Sequence, residues 1–169
     1  TVAILADGSP APRGTPGDIA VRADDPGVML GYLDAPHATT ARRVGPWFLT
    51  GDIGTMSADG AITYEGRRDD IMTAGGYRIS PVEVENAMLL HPDITDAAAV
   101  DERLGEDTTV IAVHYTAHAP LADAALYDHA AKHLARYKQP RRFHHRKSLP
   151  RGAGGQLLRR ALRAASQGT

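Results

Sequence analysis

A change in the pattern of apolar residues near residue 70 constrains the fold of this chain more than any other feature. Before it, short apolar runs such as residues 19–21 and 28–30 alternate with Gly and Pro, and Asp59-Gly60 separates two strand-like segments as in a β-hairpin. Short strands with many turns need a larger sheet or barrel to pack against. Residues 1 to about 65 are therefore predicted to be β-rich, and we do not expect them to fold alone.

Helix and strand signals alternate after residue 70. Ser80 to Glu83 form a capping box with Pro81 at the first helical position, and His91-Pro92 ends that helix. The apolar pattern further predicts strands over 96–100, 108–115 and 141–147, and helices over 121–137 and 156–165. The fold class is therefore predicted to be α+β.

Composition permits a packed core, since 43% of the residues are hydrophobic, and the absence of Cys excludes disulfides and thiolate metal sites. No apolar run approaches the roughly 18 residues of a membrane span. The chain opens without Met, directly on the apolar, strand-like run 1–5. A chain that opens in this way is expected to be a segment that starts inside a larger domain.

Charge is distributed unevenly, although the net charge is only −1. From His129 to the end there are 11 Lys or Arg residues and no Asp or Glu, so residues 1–128 carry all 20 acidic residues. A basic tail can face the phosphates of a nucleic acid or of a nucleotide cofactor. It can equally be a solvated face that pairs with the acidic remainder, and the sequence leaves both interpretations open.

Two strings carry residue types that suit contact with a ribose or a phosphate. Asp52 follows a Thr-Gly turn, where its carboxylate can accept two hydrogen bonds from a ribose diol. Arg67 follows Gly66, which lets a guanidinium approach phosphate or ribose oxygens closely. Alone, each string has a simpler interpretation, as a turn carboxylate between strands and as a solvated turn.

Two glycine-rich strings could bring backbone against a ligand. Gly75-Gly76 removes the Cβ atoms that would hinder such an approach, and the loop 152–155, in a basic setting, can present N–H groups to an anion. The simpler interpretations are a hairpin turn and a flexible surface loop.

The order and spacing of these strings are more specific than any one of them. The chain resembles the C-terminal half of the adenylate-forming superfamily, which includes acyl-CoA synthetases, peptide-synthetase adenylation domains and firefly luciferase. The resemblance covers about residues 14–163 and rests on W-F-x-T-G-D, G-R-x-D-D, G-G-Y-R-I-S-P-x-E-V-E, Y-K-x-P and L-P-R-x-x-x-G. The third motif is most similar to the acetyl and medium-chain acyl-CoA synthetase branch.

The resemblance implies a domain organisation. Residues 1–68 are similar to the β-rich end of the large N-terminal domain, and residues 69–169 to the small α+β C-terminal domain, which acts as a lid. Asp69 is similar to the hinge about which family members rotate this lid. They make an acyl-adenylate in one orientation and the thioester in the other.

The resemblance also implies roles for individual residues. Asp52 is similar to the acid that holds the adenosine ribose hydroxyls, and Arg67 to the Arg that contacts the ribose region. Arg78 is similar to a residue near the AMP phosphate or CoA. The segment Gly75, Gly76 and Tyr77 is similar to the segment that lines the pantetheine tunnel. Lys138 is interpreted as positional rather than catalytic.

Two departures from the family pattern stand out. The family's phosphate-gripping loop, adenine-binding segment and acyl pocket have no counterpart in this sequence and would lie upstream of Thr1. The family's C-terminal loop reads L-P-R-T-x-x-G-K, and its Lys bridges the carboxylate and the α-phosphate during adenylation. Gln156 stands at that position here. Gln carries no charge, and losing one preorganised electrostatic contact costs on the order of 10²–10³ in rate.

The function implied is that of an AMP-forming, cytoplasmic acyl-CoA synthetase of fatty acid metabolism. It would use ATP, release AMP, need Mg²⁺ held by residues outside those identified, and transfer a carboxylic acid to CoA. Its partner would be the N-terminal portion of the same enzyme, and this chain alone is predicted inactive. The alternative is a non-catalytic C-terminal module that binds CoA or a partner protein.

Other ligand classes find little support. His129 and His133 have the i, i+4 spacing of metal ligands, yet no third ligand is evident and we assign no metal site. The basic tail lacks the interleaved aromatic residues of single-stranded nucleic-acid binders, so no nucleic-acid partner is predicted.

Overall fold

The computed structural model describes residues 1–105 and 108–166 and confirms the α+β class. The chain divides into two compact units, Thr1–Asp69 and Asp70–Thr169. No helix among the described residues is both long enough and apolar enough to cross a membrane.

The first unit is built on a six-stranded antiparallel sheet with the order β2-β1-β3-β5-β4, in which β6 also pairs with β5. Its elements are β1 (Val2–Ala6), β2 (Ser9–Pro10), β3 (Pro16–Arg22), α1 (Pro36–Thr40), β4 (Arg43–Val44), β5 (Trp47–Met56) and β6 (Ile62–Arg67). The long strand β5 therefore carries the W-F-x-T-G-D motif, and β6 ends on the arginine of G-R-x-D-D.

One turn of this unit was predicted correctly, whereas one apolar run of the region predicted to be β-rich forms no strand. The Asp59-Gly60 hairpin joins β5 to β6, with Gly60 at φ +91°, where glycine is favoured. Residues 28–30 form no strand, because this segment lies outside the sheet and Leu30 is 99% exposed. An apolar run alone cannot distinguish a buried strand from an exposed apolar loop.

The second unit contains a three-stranded sheet, a two-stranded hairpin and helices. Its elements are β7 (Met72–Ala74), β8 (Tyr77–Ile79), α2 (Pro81–Leu89), β9 (Asp96–Arg103), β10 (Thr109–Thr116), α3 (Asp123–His133), β11 (Arg142–His145) and α4 (Arg159–Ser166). The sheet order is β11-β10-β9, antiparallel between β9 and β10 and parallel between β10 and β11. Short 3₁₀ helices lie at Arg68–Asp70 and Arg136–Lys138.

Both faces of the three-stranded sheet are covered, as the near-continuous apolar run of β9 requires. On one face Ile111, Val113 and Tyr115 pack with Met88 of α2 and Leu126 of α3. On the other face Ala98, Val100 and Ala112 pack with Leu149 and Leu162, the latter from α4. The successive side chains of each strand alternate between the two cores.

Strands β10 and β11 place two histidines, His114 and His144, on the second face, and each has a polar partner there. His114 is fully buried, and burial, together with the nearby charges of His144 and Arg146, lowers its pKa to about 4. It is therefore neutral at pH 7 and accepts a hydrogen bond at Nδ1 from Nε of Arg146, at 3.1 Å. His144 Nε2 lies 2.7 Å from a carboxylate oxygen of Glu102.

Two helix boundaries differ from the prediction by about one turn of helix, and the others by one or two residues. The helix predicted over 121–137 ends at His133, because Leu134 is extended (φ −126°, ψ 139°) and its carbonyl accepts the side-chain amide of Gln139. The helix predicted over 156–165 begins at Arg159, because Arg151 and Leu157 form a bridge that holds residues 151–157 in a closed loop. The capped start of α2 is confirmed, since Ser80 Oγ accepts from the Glu83 N–H at 3.2 Å.

The basic tail pairs with acidic residues of the second unit. Arg159 binds both carboxylate oxygens of Glu85 at 2.8 Å and Asp70 at 3.1 Å, and Arg163 binds Asp101 at 2.6 Å. These pairs fasten α4 to α2, β9 and the start of the unit. Part of the charge asymmetry along the sequence is thus internal ion pairing.

Replacing Arg159 by Met should destabilise the second unit by roughly 3–5 kcal/mol, because it leaves a buried carboxylate without its cation. The Arg159 and Glu85 side chains are only 12% and 9% exposed, and burial raises the pKa of Glu85. Urea unfolding measures the loss of unfolding free energy. This loss should be smaller at acidic pH, since a protonated Glu85 needs no cation.

The exposed neighbour Arg160 provides the matched control, because Arg160→Met removes the same charge from the same helix. Equal unfolding free energies for the two variants would show that the Arg159 network contributes nothing to stability.

Candidate functional site

Asp52 and Arg67 face each other across β5 and β6, as directly paired residues of the two strands. Arg67 Nη1 donates to Asp52 Oδ1 at 2.9 Å and approaches the Thr50 carbonyl oxygen at 3.4 Å. The Asp52 side chain is 29% exposed and the Arg67 side chain 47%, so solvent or a ligand can reach both. The structure thus joins two residues that the sequence separates by a hairpin, and presents a carboxylate oriented by a guanidinium.

The strand is shaped locally so that Asp52 can hold this position. Thr50 Oγ1 donates to the Ile19 carbonyl of β3 at 2.8 Å and accepts the Asp52 N–H at 3.2 Å. Gly51 has φ +85°, a conformation that favours glycine. A Cβ at position 51 would overlap Nη1 of Arg42 and lie 3.1 Å from Nη2 of Arg67. The glycine is therefore favoured by its backbone conformation, and the two guanidinium groups occupy the space where a Cβ would lie.

Asp69 lies between two residues that are each tied to their own unit. Within the first unit, Arg68 Nε donates to Asp18 Oδ1 at 2.7 Å and a second ion-pair contact joins the two side chains. Within the second unit, Asp70 pairs with Arg159 and, at 3.7 Å, with Arg163. The Asp69 carboxylate is exposed and makes no ion pair or side-chain hydrogen bond within residues 1–105 and 108–166. It is the untethered residue between two anchors.

The Gly75-Gly76 pair forms the turn between β7 and β8. Both residues have positive φ, +57° and +80°, as a type I′ hairpin turn requires. A Cβ at either position would meet nothing within 4 Å, so the turn faces open space. Arg78, next on β8 after Tyr77, is exposed and pairs in register with Thr73.

Tyr77 helps to line a pocket of about 240 Å³ in the second unit. Its ring centroid lies 4.7 Å from that of Tyr137, at an interplanar angle of 34°, and the side chain is 55% exposed. The pocket walls bring two cations, Arg136 and Arg141, beside this aromatic pair. The polar and aromatic residues that line the pocket are Tyr77, Thr109, Arg136, Tyr137, Gln139 and Arg141. Sequence reasoning identified Tyr77 but missed the others, because they come from β10 and from the segment after α3, which are distant from Tyr77 in the chain.

Gln156 closes the glycine-rich loop on itself. Its carbonyl accepts the Gly152 N–H at 2.9 Å, and its side chain lies over the loop glycines. A Cβ at Gly152 would sit 2.7 Å from Gln156 Nε2, and one at Gly154 would sit 2.8 Å from Oε1. Arg151 fixes the base of the loop through Asp96, at 2.6 Å. A side chain at position 152 would therefore displace the Gln156 amide from this place.

Lys138 and the histidines are accounted for by local contacts. Lys138 Nζ lies 2.5 and 2.8 Å from the Glu83 carboxylate oxygens, a pair that raises the pKa of Lys138. His129 Nε2 lies 2.9 Å from the Ala87 carbonyl oxygen, and its ring contacts those of His91 and His133. Within the described part of the chain, no group of three or more acidic or histidine side chains is arranged to hold a metal.

Comparison with known proteins shows which enzymes this chain is similar to. Residues 83–156 match the AMP-binding enzyme C-terminal domain. Among curated proteins, the chain is similar to the sulfoacetate–CoA ligase of Cupriavidus necator, with 39% identity over 92% of this chain and 31% of that protein. It is also similar to the 2-succinylbenzoate–CoA ligase of Geobacillus kaustophilus, with 38% identity over 95% of this chain and 33% of that protein. The chain therefore spans about a third of the length of the curated relatives it matches.

The fold is shared with part of a solved CoA synthetase. The o-succinylbenzoate CoA synthetase of Bacillus subtilis, solved with its acyl-adenylate intermediate, superimposes with a TM-score of 0.88 at 31% identity. The match covers 96% of this chain and 33% of that enzyme, which was also solved with ATP and magnesium ion. These matches confirm the resemblance to the C-terminal portion of adenylate-forming enzymes.

Proposed function

We propose, from the premise that this chain corresponds to the C-terminal portion of an AMP-forming acyl-CoA ligase, that it completes an enzyme that converts a carboxylic acid to its thioester. ATP, with Mg²⁺, would activate the acid as an acyl-adenylate, and CoA would then displace AMP. The observation that carries the proposal is the Asp52–Arg67 pair, which offers a preoriented, accessible carboxylate.

Asp52 has the chemistry needed to hold a ribose. A carboxylate can accept hydrogen bonds from both hydroxyls of a ribose diol, and charge-assisted hydrogen bonds of this kind are among the strongest in proteins. Arg67 fixes one carboxylate oxygen at 2.9 Å and so limits the rotation of the side chain. The acyl-adenylate and ATP complexes of the B. subtilis relative support a nucleotide as the ligand.

The pocket of the second unit supports CoA as the acceptor. CoA carries an adenine ring, phosphates and a narrow pantetheine arm. Tyr77 and Tyr137 offer aromatic surface, Arg136 and Arg141 offer charge for phosphates, and Gly75 leaves the turn open. Arg78, exposed on β8, is proposed to meet the nucleotide phosphate or CoA.

Asp69 is proposed as the hinge between the two orientations. Its neighbours are fixed, Arg68 to Asp18 and Asp70 to Arg159, so a backbone rotation confined to the intervening residue would leave both anchors intact. Domain closure is usually absorbed by a few such residues.

The remaining portion of the enzyme is proposed to cover an exposed apolar segment of the first unit. Leu30 and Leu33 are 99% and 92% exposed, and Tyr32 between them is 43% exposed. Consecutive exposed residues of this kind are unusual on a free surface and typical of one that is covered by another part of the protein. The phosphate-binding and acyl-binding parts would belong to that portion, and so would the choice of acyl group.

The chain alone should therefore form no acyl-adenylate. Pyrophosphate exchange into ATP, measured with a panel of short and medium-chain carboxylic acids, should stay at background for the isolated chain. Robust exchange would overturn the assignment of the phosphate and acyl sites to the remaining portion.

A second candidate function is a module that binds CoA or a partner protein without catalysis. Gln156 favours it, because the loop carries no charge at the position where the family has Lys. The Asp52–Arg67 pair favours the ligase, because a module without nucleotide chemistry has no need of a carboxylate oriented in this way.

A further inference from the structure

Arg42 places a second guanidinium beside the Asp52–Arg67 pair. It lies between α1 and β4, where its backbone is fixed on both sides. Its N–H donates to Thr39 at 3.1 Å, and its carbonyl accepts the Leu49 N–H of β5 at 2.8 Å. The side chain is partly buried and reaches over the α-carbon of Gly51, where Arg67 also lies. Two cations thus share one surface of the strand.

The charges at this surface do not balance. Arg67 is paired with Asp52, whereas Arg42 makes no ion pair or side-chain hydrogen bond with any residue in 1–105 or 108–166. Two guanidiniums therefore face one carboxylate. Holding like charges together, with one of them partly desolvated, costs free energy unless an anion joins them.

We propose that Arg42 and Arg67 form an oxyanion site above Gly51 that binds phosphoryl oxygens. The guanidinium fork suits phosphate because it can donate two parallel hydrogen bonds. The missing side chain of Gly51 is what lets both guanidinium groups approach the strand at the same place. The anion-binding part of this inference stands on the two arginines alone. Its assignment to a nucleotide phosphate rests on the proposed function, in which Asp52 holds the ribose of the same ligand.

A purely structural role for Arg42 makes a different prediction. If the side chain only fills the space that Gly51 leaves, then an apolar side chain should replace it with no effect on any anion. If it forms an anion site, charge at position 42 is what matters. Arg42→Leu and Arg42→Lys separate the two roles, because both replace the guanidinium by a largely aliphatic side chain and only the second keeps a positive charge.

The test is an NMR titration of the full 169-residue chain with inorganic phosphate, AMP and adenosine. Phosphate and AMP should shift the amide signals around Gly51, and AMP should bind more tightly than adenosine. Arg42→Leu should abolish the phosphate response and weaken AMP about tenfold, to the level of adenosine, as expected for the loss of a hydrogen bond to a charged group. Arg42→Lys should retain part of the response. The adjacent exposed residue gives the matched control, Arg43→Leu, which should behave as the unaltered chain does.

The possible failures are distinguishable. No phosphate response around Gly51, or an equal response in Arg42→Leu, overturns the oxyanion site even if adenosine binds. A phosphate response that depends on Arg42, without any adenosine binding, supports the oxyanion site and contradicts the proposed ribose role of Asp52.

Discussion

Replacing Gln156 by Lys should raise the rate of acyl-adenylate formation by about 10²–10³-fold in an enzyme completed with an N-terminal portion. The gain should come from a positive charge that meets the developing negative charge between the carboxylate and the α-phosphate. A suitable completed enzyme joins this chain to the portion of the G. kaustophilus relative that the match does not cover, about two thirds of that protein. Pyrophosphate exchange with 2-succinylbenzoate measures the effect.

The structure adds a second requirement to this prediction. The Gln156 amide folds back over Gly152 and Gly154, whereas a Lys must extend out of the loop to meet a substrate. Gly152→Thr, which introduces the residue type of the family motif, should displace the side chain at position 156, since a Cβ there lies 2.7 Å from Nε2. The double variant Gly152→Thr/Gln156→Lys should therefore adenylate at least as fast as Gln156→Lys.

Two controls make the result specific. Gln156→Met removes the amide without adding charge and should give no gain, and thioester formation from preformed adenylate should hardly change in any of these variants. No gain from Gln156→Lys, alone or with Gly152→Thr, would show that position 156 does not occupy the family's Lys position.

Replacing Asp69 by Pro should lower one half-reaction of the completed enzyme by orders of magnitude and spare the other. Proline fixes φ near −65° and also restricts Arg68 before it, so the backbone can no longer rotate between the anchors at Asp18 and Arg159. Nucleotide affinity should change little, because the Asp52–Arg67 pair is untouched. Adenylation and thioester formation are assayed separately, the second with preformed adenylate and CoA.

Asp69→Ala is the matched control, since it removes the carboxylate and leaves the backbone free, and it should support both half-reactions. Asp52→Ala is the contrast, because it should weaken ATP binding directly. If Asp69→Pro abolished ATP binding, or left both half-reactions near normal, the hinge would lie elsewhere.

Local signals predicted several elements correctly because each depends on neighbours in the chain. The Asp59-Gly60 hairpin and the Ser80 cap of α2 follow from turn and capping chemistry within a few residues. The adjacent glycines at 75 and 76 likewise suit the turn they form.

Features that depend on contacts between distant residues could not be predicted from local signals. Arg42 reaches Gly51 only because β4 pairs with β5, and Tyr137 reaches Tyr77 only through the packing of the second unit. The end of α3 at His133 depends on the contact of Gln139 with Leu134, against a helical periodicity that continues to residue 137. The anchors on either side of Asp69 involve partners 50 and 89 residues away.

The measurement that tests the central claim most directly is thioester formation by the completed enzyme from preformed 2-succinylbenzoyl-adenylate and CoA. This half-reaction does not need a Lys at position 156, and the intact relative serves as the positive control. We predict that acyl-CoA accumulates when this chain is fused to the N-terminal portion and does not accumulate when that portion is supplied alone. Acyl-CoA formation no faster with the chain than without it would contradict its role as the catalytic C-terminal portion of an acyl-CoA ligase.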